Sequence, residues 1–337
     1  MIALRNMQGQ REDFYKVAAK IYLHQKEAGG IYMNLLDLFS LQGTLFALMI
    51  VGAILKKKEI IDANGKKCLT DLCINVVIPC NIFKSCLIEF NMEIFRSCAL
   101  LLLAAVIMQA VCLTLNKFIF NQYVPRRRKV LQYCTIVPMS GFLGNPIAEA
   151  IYNEIGVLYT SIFLIPMRII MWSVGTTYFV ADEKVDKKKV AKNVLTHPCL
   201  VAIYLGLICM VTQVKLPAVI TATVKYLGNC NSALTMLIVG TILADVKITT
   251  IFNKDTAMFS VFRLIILPAA ALVVGLGLGL DATSLGISVL MTGMPAGATA
   301  AIFAARYDSD ALFATRCVVM TTLMSMLTLP IWCYLAG

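Results

Sequence analysis

Long apolar segments dominate this sequence and constrain its fold more than any other feature. A membrane-spanning helix needs about 20 apolar residues, and only 15% of the 337 residues are charged, against about 25% in soluble proteins. We therefore expect an all-α polytopic membrane protein. Ten segments qualify, and we number them in chain order: roughly 35–55, 68–88, 95–116, 130–152, 157–180, 197–213, 228–246, 257–280, 284–304 and 311–335.

The positive charge of the chain lies in alternate loops. The net charge is +11, which in a soluble protein would suggest nucleic acid as a partner. Here the pattern indicates membrane topology instead, because Lys and Arg concentrate in cytoplasmic loops. We expect a multi-pass protein of the cytoplasmic (inner) membrane with both termini outside and no nucleic-acid partner. The basic residues lie between segments 1 and 2 (Lys56, Lys57, Lys58, Lys66, Lys67), 3 and 4 (Lys117, Arg126, Arg127, Arg128, Lys129) and 5 and 6 (Lys184, Lys187, Lys188, Lys189, Lys192).

Residues 1–33 do not fit this topology. They carry five basic residues, which an external tail should avoid, and lack the apolar core of a signal peptide. Gly-Gly codons in "KEAGGIYM" can spell a ribosome-binding sequence, so we expect that the natural chain begins at Met33 and that the preceding extension is not native. The alternative is an amphipathic helix on the membrane surface.

No motif for metal, cofactor or nucleotide chemistry occurs. The 12 cysteines form no CxxC pair, the two histidines lie far apart, and neither HExxH nor a Walker sequence is present. Isolated cysteines in apolar helices behave as small hydrophobic residues. We therefore expect a protein that is not an enzyme, has no cofactor and does not use ATP.

Two interrupted segments mark the candidate binding site. Segments 1–5 (residues 34–181) and 6–10 (197–337) are separated by a basic cytoplasmic loop, 182–196. Because five is odd, the second set enters the membrane in the opposite orientation, as in an inverted repeat. Segment 4 contains "SGFLGNPIAEA" (140–150) and segment 9 contains "MTGMPAGATAA" (291–301). Interrupted helices at matching positions of two halves indicate a transporter binding site.

The chemistry of such an interruption favours an anion. Asn145 is a favoured N-cap residue, and Pro146 suits the first turn of a new half-helix. The N-terminus of a half-helix carries roughly half a positive charge and exposes N–H groups. Two such ends would form a carboxylate site, although a pair of structural kinks would leave the same pattern. The candidate substrate-binding residues here are Gly144, Asn145, Pro146, Gly293, Pro295 and Thr299.

Several stretches resemble the auxin efflux carrier family, whose bacterial members include malate and other organic-acid permeases. They are "LFALMIVGAILKKKEIID" (45–62), "CINVVIPCNIF" (73–83), "GFLGNPIAEAIYNEIGVLYTSIF" (141–163) and 293–332, and the likeness extends over 34–337. The resemblance implies ten helices as a 5+5 inverted repeat. It also implies that helices 4 and 9 cross in a mobile transport domain and that helices 1, 2, 6 and 7 form a scaffold that often dimerises.

Three departures from the family pattern narrow the expectation. Arg168 stands in segment 5 where a neutral polar residue is usual, the loop 182–193 is short, and Ser232 replaces a frequent proline. The first two favour a compact bacterial carrier of a small organic anion such as malate. The alternatives are an auxin-like or bile-acid-like amphipathic anion, an ion antiporter of this fold, a membrane enzyme or a non-transporting receptor.

Charged residues inside the segments receive individual predictions. Arg168 lies near the bilayer midplane, where a charge costs at least about 2.5 kcal/mol, so we expect it to face the interior and bind either a substrate carboxylate or Glu149. Arg263 and Arg316 should extend to the headgroups. Lys84 and Arg96 should anchor the external interface.

The sequence does not distinguish between coupling to sodium, coupling to a proton and transport without a coupling ion. A sodium site would use Asn81, Asn145, Thr292, Thr299, Thr321 and Thr322, whereas Glu149 is the only acid near the first interruption and fits a proton.

Overall fold

The computed structural model describes residues 35–89, 91–175, 178–179, 192, 195–214, 216–244, 251–307 and 309–336. Helices are the only regular secondary structure among these residues; turns and loops connect them, with one isolated β-bridge. The expectations for 1–33 and for most of the loop 182–196 lie outside them. The helices are α1 (Leu35–Lys57), α2 (Ala63–Ser85), α3 (Met92–Phe118), α4 (Pro125–Ile136), α5 (Asn145–Ile170), α6 (Pro198–Thr212), α7 (Ala218–Ala244), α8 (Lys254–Gly277), α9 (Ala282–Thr292), α10 (Thr299–Arg306) and α11 (Ala311–Ala336).

Proline explains the irregular turns within the helices. Pro79 in α2 and Pro268 in α8 each follow a π-helical turn, Cys73–Val77 and Phe262–Ile266. A proline has no N–H and its ring crowds the carbonyl four residues earlier, so the wider turn accommodates it. In α8 the freed carbonyl of Leu264 accepts a hydrogen bond of 2.8 Å from Nε1 of Trp332.

Seven of the described helices are long and apolar enough to cross a membrane, and two shorter ones, α6 and α9, are also apolar. A polytopic, all-helical membrane protein is therefore confirmed. Segments 4 and 9 are each divided. Segment 4 comprises the second half of α4 and the first part of α5, and segment 9 comprises α9 and α10. Most of segment 5 forms the second part of α5. The ten-helix inverted repeat stays a prediction.

Close backbone approaches join α1, α2, α6 and α7. At Gly52 of α1 and Gly240 of α7, an added Cβ would overlap the carbonyl of Leu237 and of Met49, respectively. At Gly206, in α6, it would come within 2.6 Å of Sγ of Cys86 in α2. Small residues allow helices to pack this closely in a membrane. These four helices are the ones that the resemblance assigns to the scaffold. The other helices, α3, α4, α5 and α8–α11, carry or flank the two interruptions, and α7 also contacts the turn Ser140–Gly144.

Candidate functional site

The two interruptions meet in the interior of the protein. Pro138 and Ala296 form an antiparallel bridge. The N–H of Met139 donates to the carbonyl of Pro295 (2.8 Å), and the N–H of Gly297 donates to the carbonyl of Val137 (2.9 Å). These bonds satisfy backbone groups that would otherwise be unpaired far from water. We call residues 137–139 and 293–298 the crossover.

The first interruption lies earlier in the chain than the sequence indicated. Val137 is extended (φ −118°, ψ 93°), and a π-helical turn, Ser140–Gly144, precedes Asn145. Asn145 is itself helical (φ −57°, ψ −48°), and its side chain makes no capping bond, so its assignment as an N-cap was wrong. Pro146 does lie in the first turn of the α-helix, as expected.

Side chains from neighbouring helices hold the crossover. The hydroxyl of Ser140 donates to the carbonyl of Met291 (3.1 Å), and the N–H of Ala296 donates to Oγ1 of Thr321 (3.1 Å). The hydroxyl of Tyr133 donates to Oγ1 of Thr299 (3.1 Å). Through these hydrogen bonds, α4, α9, α10 and α11 contact one another at or next to the crossover.

Arg263 also binds the crossover, which corrects the expectation that it extends to the headgroups. It is 1% exposed. Its Nε donates to the carbonyl of Met294 (3.0 Å) and its Nη1 to the carbonyl of Thr135 (2.8 Å). The prediction failed because α8 begins at Lys254, so that Arg263 lies nine residues, about 14 Å, along the helix. The π-helical turn that contains Arg263 was the missed signal.

One side of the crossover is open. A Cβ added at Gly141 would meet no atom within 4 Å, whereas at Gly144 it would lie 2.9 Å from Met291. Pro138, Gly141, Phe142, Ala298 and Thr299 are half-buried, whereas most of the residues around them in the chain are buried. Gly141 lies in the first turn after the interruption, where backbone N–H groups have no carbonyl of a preceding turn to bind. This side therefore offers both space and donors.

Asn145 lies about one turn beyond this opening. Its side chain is 0% exposed, and neither Oδ1 nor Nδ2 has a hydrogen-bond partner among the described residues. Helical side chains tilt toward the N-terminus of their helix, so we expect the Asn145 side chain to tilt toward the preceding turn. A buried amide without a partner costs a few kcal/mol unless a ligand or water binds it.

Glu149 does not pair with Arg168, contrary to one of the two alternatives for that arginine. The carboxylate of Glu149 accepts hydrogen bonds from Nζ of Lys84 (2.8 Å) and from Nδ2 of Asn81 (3.1 and 3.0 Å). Lys84 also contacts Glu154 (3.2 Å) and Oδ1 of Asn229 (3.2 Å). The ammonium of Lys84 is therefore bound inside a polar cluster rather than anchored at the interface. The cluster joins α2, α5 and α7.

Arg168 faces the interior, as expected, at 5% exposure. Its Nη1 has no hydrogen-bond partner in the described part of the chain. It lies near His197 and Cys199, at the start of α6. The arginine thus lies beside the α5–α6 boundary. The remaining two arginines with individual predictions are Arg96 and Arg316. Arg96 is exposed. Arg316 is half-buried, and its Nε has no hydrogen-bond partner among the described residues.

The candidate coupling residues divide into two groups. The hydroxyls of Thr321 and Thr322 donate to carbonyls of the preceding turn (2.7 and 2.8 Å). The hydroxyl of Thr292, 6% exposed, has no partner among the described residues, and neither has Oδ1 of Asn81. Among the described candidates, the second group and the amide of Asn145 offer uncommitted oxygens to an ion.

The sequence matches known transporters along most of its length. The model of a family described as "Membrane transport protein" matches residues 43–333. The uncharacterized transporter YfdV of Escherichia coli (strain K12) is 23% identical over 303 residues, 87% of this chain and 95% of that protein. An uncharacterized transporter of Methanothermobacter thermautotrophicus is 25% identical over 307 residues, 86% and 95% of the two chains.

These matches agree with the fold and with the motifs of the two interrupted segments. The chain belongs to the membrane transport protein family, the auxin efflux carrier-like transporters, and is a membrane transporter rather than an enzyme.

Proposed function

We propose that the protein is a secondary transporter that moves a small organic anion, a malate-like mono- or dicarboxylate, across the cytoplasmic membrane. The carboxylate binds at the crossover, and the helices that carry it then move against α1, α2, α6 and α7 to expose the site to the other side. Two observations carry the proposal: the amide of Asn145 is buried and unpartnered, and open space lies about one turn earlier, at Gly141.

The chemistry of the opening supports an anion. The N-terminal ends of α5, with its preceding turn, and of α10 flank the crossover, and each contributes roughly half a positive charge. The amide of Asn145 and the hydroxyl of Thr299 add neutral donors, which orient a carboxylate without a permanent counter-ion. Gly144, Pro146, Gly293 and Pro295 shape the backbone around it.

Arg168 is proposed as a second contact of the substrate on its path toward α6. Its buried Nη1 and planar guanidinium suit a carboxylate, bound through two parallel hydrogen bonds. For coupling, Glu149 stays the acid proposed for a proton-coupled carrier, with Lys84 as its present partner, and Asn81 and Thr292 offer oxygens that fit sodium.

The proposed arrangement in the membrane follows the charge pattern and the exposed apolar faces. Lys- and Arg-rich loops on the cytoplasmic side leave both termini outside. Exposed apolar side chains on α6 and α7 would contact lipid or, in a homodimer, the scaffold helices of a second copy; they include Leu205, Ile208, Val219 and Ile220.

The test is thermal unfolding of the purified protein with a panel of mono- and dicarboxylates, with and without sodium, for the wild type and Asn145→Leu. An acid at a hundredfold excess over its Kd stabilises by about 2.7 kcal/mol. Asn145→Leu keeps the volume and removes an unpaired buried amide, so the variant should unfold at an equal or higher temperature without ligand and lose the stabilisation by the acid.

The matched control is Thr160→Val, which removes another buried, unpartnered polar group from α5 and should keep the full response to the acid. An unchanged response in Asn145→Leu would refute the proposed site. Stabilisation by an amphipathic anion alone would replace the small organic acid as the substrate class.

A further inference from the structure

The inference starts from the position of Arg263 between the two interrupted segments. Its guanidinium bridges the carbonyl of Thr135, in the last turn of α4, and the carbonyl of Met294, just after α9. One arginine from a third helix thus binds both places where the chain leaves a helix to enter the crossover. Its third nitrogen, Nη2, has no hydrogen-bond partner among the described residues.

The charges around Arg263 come from helix ends. No carboxylate of the described residues forms an ion pair with it. Instead, the C-termini of α4 and α9 meet there, and each carries roughly half a negative charge. Together they offset about one positive charge, the charge of the guanidinium. A buried arginine therefore persists without an acidic partner because two helix ends take its place.

We propose that Arg263 is a positioning residue that sets the charge of the substrate. It neutralises the two C-terminal ends, so that the crossover keeps only the positive charge of its two N-terminal ends, about one unit in total. A monocarboxylate balances that charge. A dicarboxylate would leave about one negative charge unbalanced in a site of low dielectric, where such a charge is costly.

This inference rests on the proposed function and narrows it, from organic anions in general to monovalent ones. Arg168 does not enter this balance at the crossover, because in the proposed function it contacts the substrate only on the path toward α6.

The experiment measures Kd by calorimetry at pH 7.5 for lactate, malate and the neutral analogue lactamide. The variants are Arg263→Lys and Arg263→Met, with Arg96→Met as a control that removes one exposed arginine from α3. The wild type should bind lactate about tenfold more tightly than malate. Arg263→Lys retains the charge and should retain that preference, at weaker affinity.

Arg263→Met should lose affinity for lactate, lose more for malate and leave lactamide unchanged, because the removed charge acts in proportion to the charge of the ligand. A purely structural role would instead weaken all three ligands alike. Arg96→Met should match the wild type. If Arg263→Met does not fold, the ratio of the lactate and malate affinities in the wild type and Arg263→Lys decides.

The outcomes separate this inference from the proposed function. Tighter binding of malate than of lactate by the wild type would overturn the charge assignment and leave the organic-anion site standing. An equal loss of lactate, malate and lactamide binding in Arg263→Met would overturn the role of Arg263 alone. Binding of neither acid by the wild type would overturn both.

Discussion

At the scale of single residues, Asn153 has the most unusual backbone in α5. It divides the helix at φ 55° and ψ −145°, a conformation that side chains with a Cβ rarely adopt. The stretch around it, "YNEIG", is the loop between segments 4 and 5 in the sequence prediction, so the position of this turn was predictable. The tightness of the turn was not predictable, because the chain is helical again directly after Asn153.

Replacing Asn153 by glycine should stabilise the protein, because glycine adopts this conformation at little cost. The gain should be about 1 kcal/mol, the lower end of what such a residue costs, whereas Asn153→Val should destabilise by at least that amount. Thermal unfolding in detergent measures both. Asn75→Gly, at an exposed helical position of α2, is the control and should lower stability. A stabilising Asn75→Gly or a neutral Asn153→Gly would contradict the argument.

The crossover is the element that decides the function of the helices around it. Two extended stretches, far apart in sequence, pair through two backbone hydrogen bonds, and glycines allow the approach. At Gly297 an added Cβ would lie 2.8 Å from the carbonyl of Val137, which is backbone and part of the bridge. At Gly144 the nearest atoms belong to the end of the Met291 side chain, which can move.

Two alanine substitutions should therefore differ sharply. Gly297→Ala should separate the paired stretches and cost about 2–4 kcal/mol, through lost hydrogen bonds and overpacking. Gly144→Ala should cost less than about 1.5 kcal/mol because Met291 can adopt another rotamer. Unfolding temperatures of the two variants test this. Equal effects, or a greater effect at Gly144, would mean that the bridge does not limit the space at Gly297.

The sequence was sufficient to find this element but not to assemble it. The Gly–Pro-rich motifs of segments 4 and 9 indicated both interruptions, because glycine and proline act on their own backbone and its nearest neighbours. The hydrogen-bond partners of the carbonyls at these interruptions could not be predicted from the sequence, since Arg263 and Thr135, for example, are 128 residues apart. The same limit explains the wrong expectation for Lys84, whose partners lie in α5 and α7.

At the scale of the whole molecule, two ion-pair clusters among the described residues join different sets of helices. Lys84 and its partners connect α2 and α7 to α5, that is, the predicted scaffold to a helix that leads into the crossover. Arg127 contacts Asp255 and Asp310, both at 3.1 Å, and so connects α4, α8 and α11 among themselves. A movement of the crossover against the scaffold must break the first cluster and preserve the second.

Lys84→Met should therefore loosen the contact between the two groups of helices. It leaves Glu149 without its cation, at a cost of about 1–3 kcal/mol. Hydrogen exchange should rise in peptides from the end of α2 and from the first part of α5, and stay unchanged at 293–298. Arg127→Met should instead raise exchange at the starts of α4, α8 and α11. Identical exchange patterns in the two variants would show that the clusters do not separate two moving groups.

The sequence by itself determined the class of the protein, its family and the two places where the helices break. Hydropathy, proline, glycine and asparagine act within a turn or within one bilayer crossing, so their effects can be read locally. Only the tertiary structure decided that the breaks pair with each other, that Arg263 binds carbonyls at the ends of α4 and α9 and that Glu149 binds Lys84. Those outcomes depend on distances between residues 31 to 160 positions apart, and they follow from the packing of whole helices rather than from any local pattern.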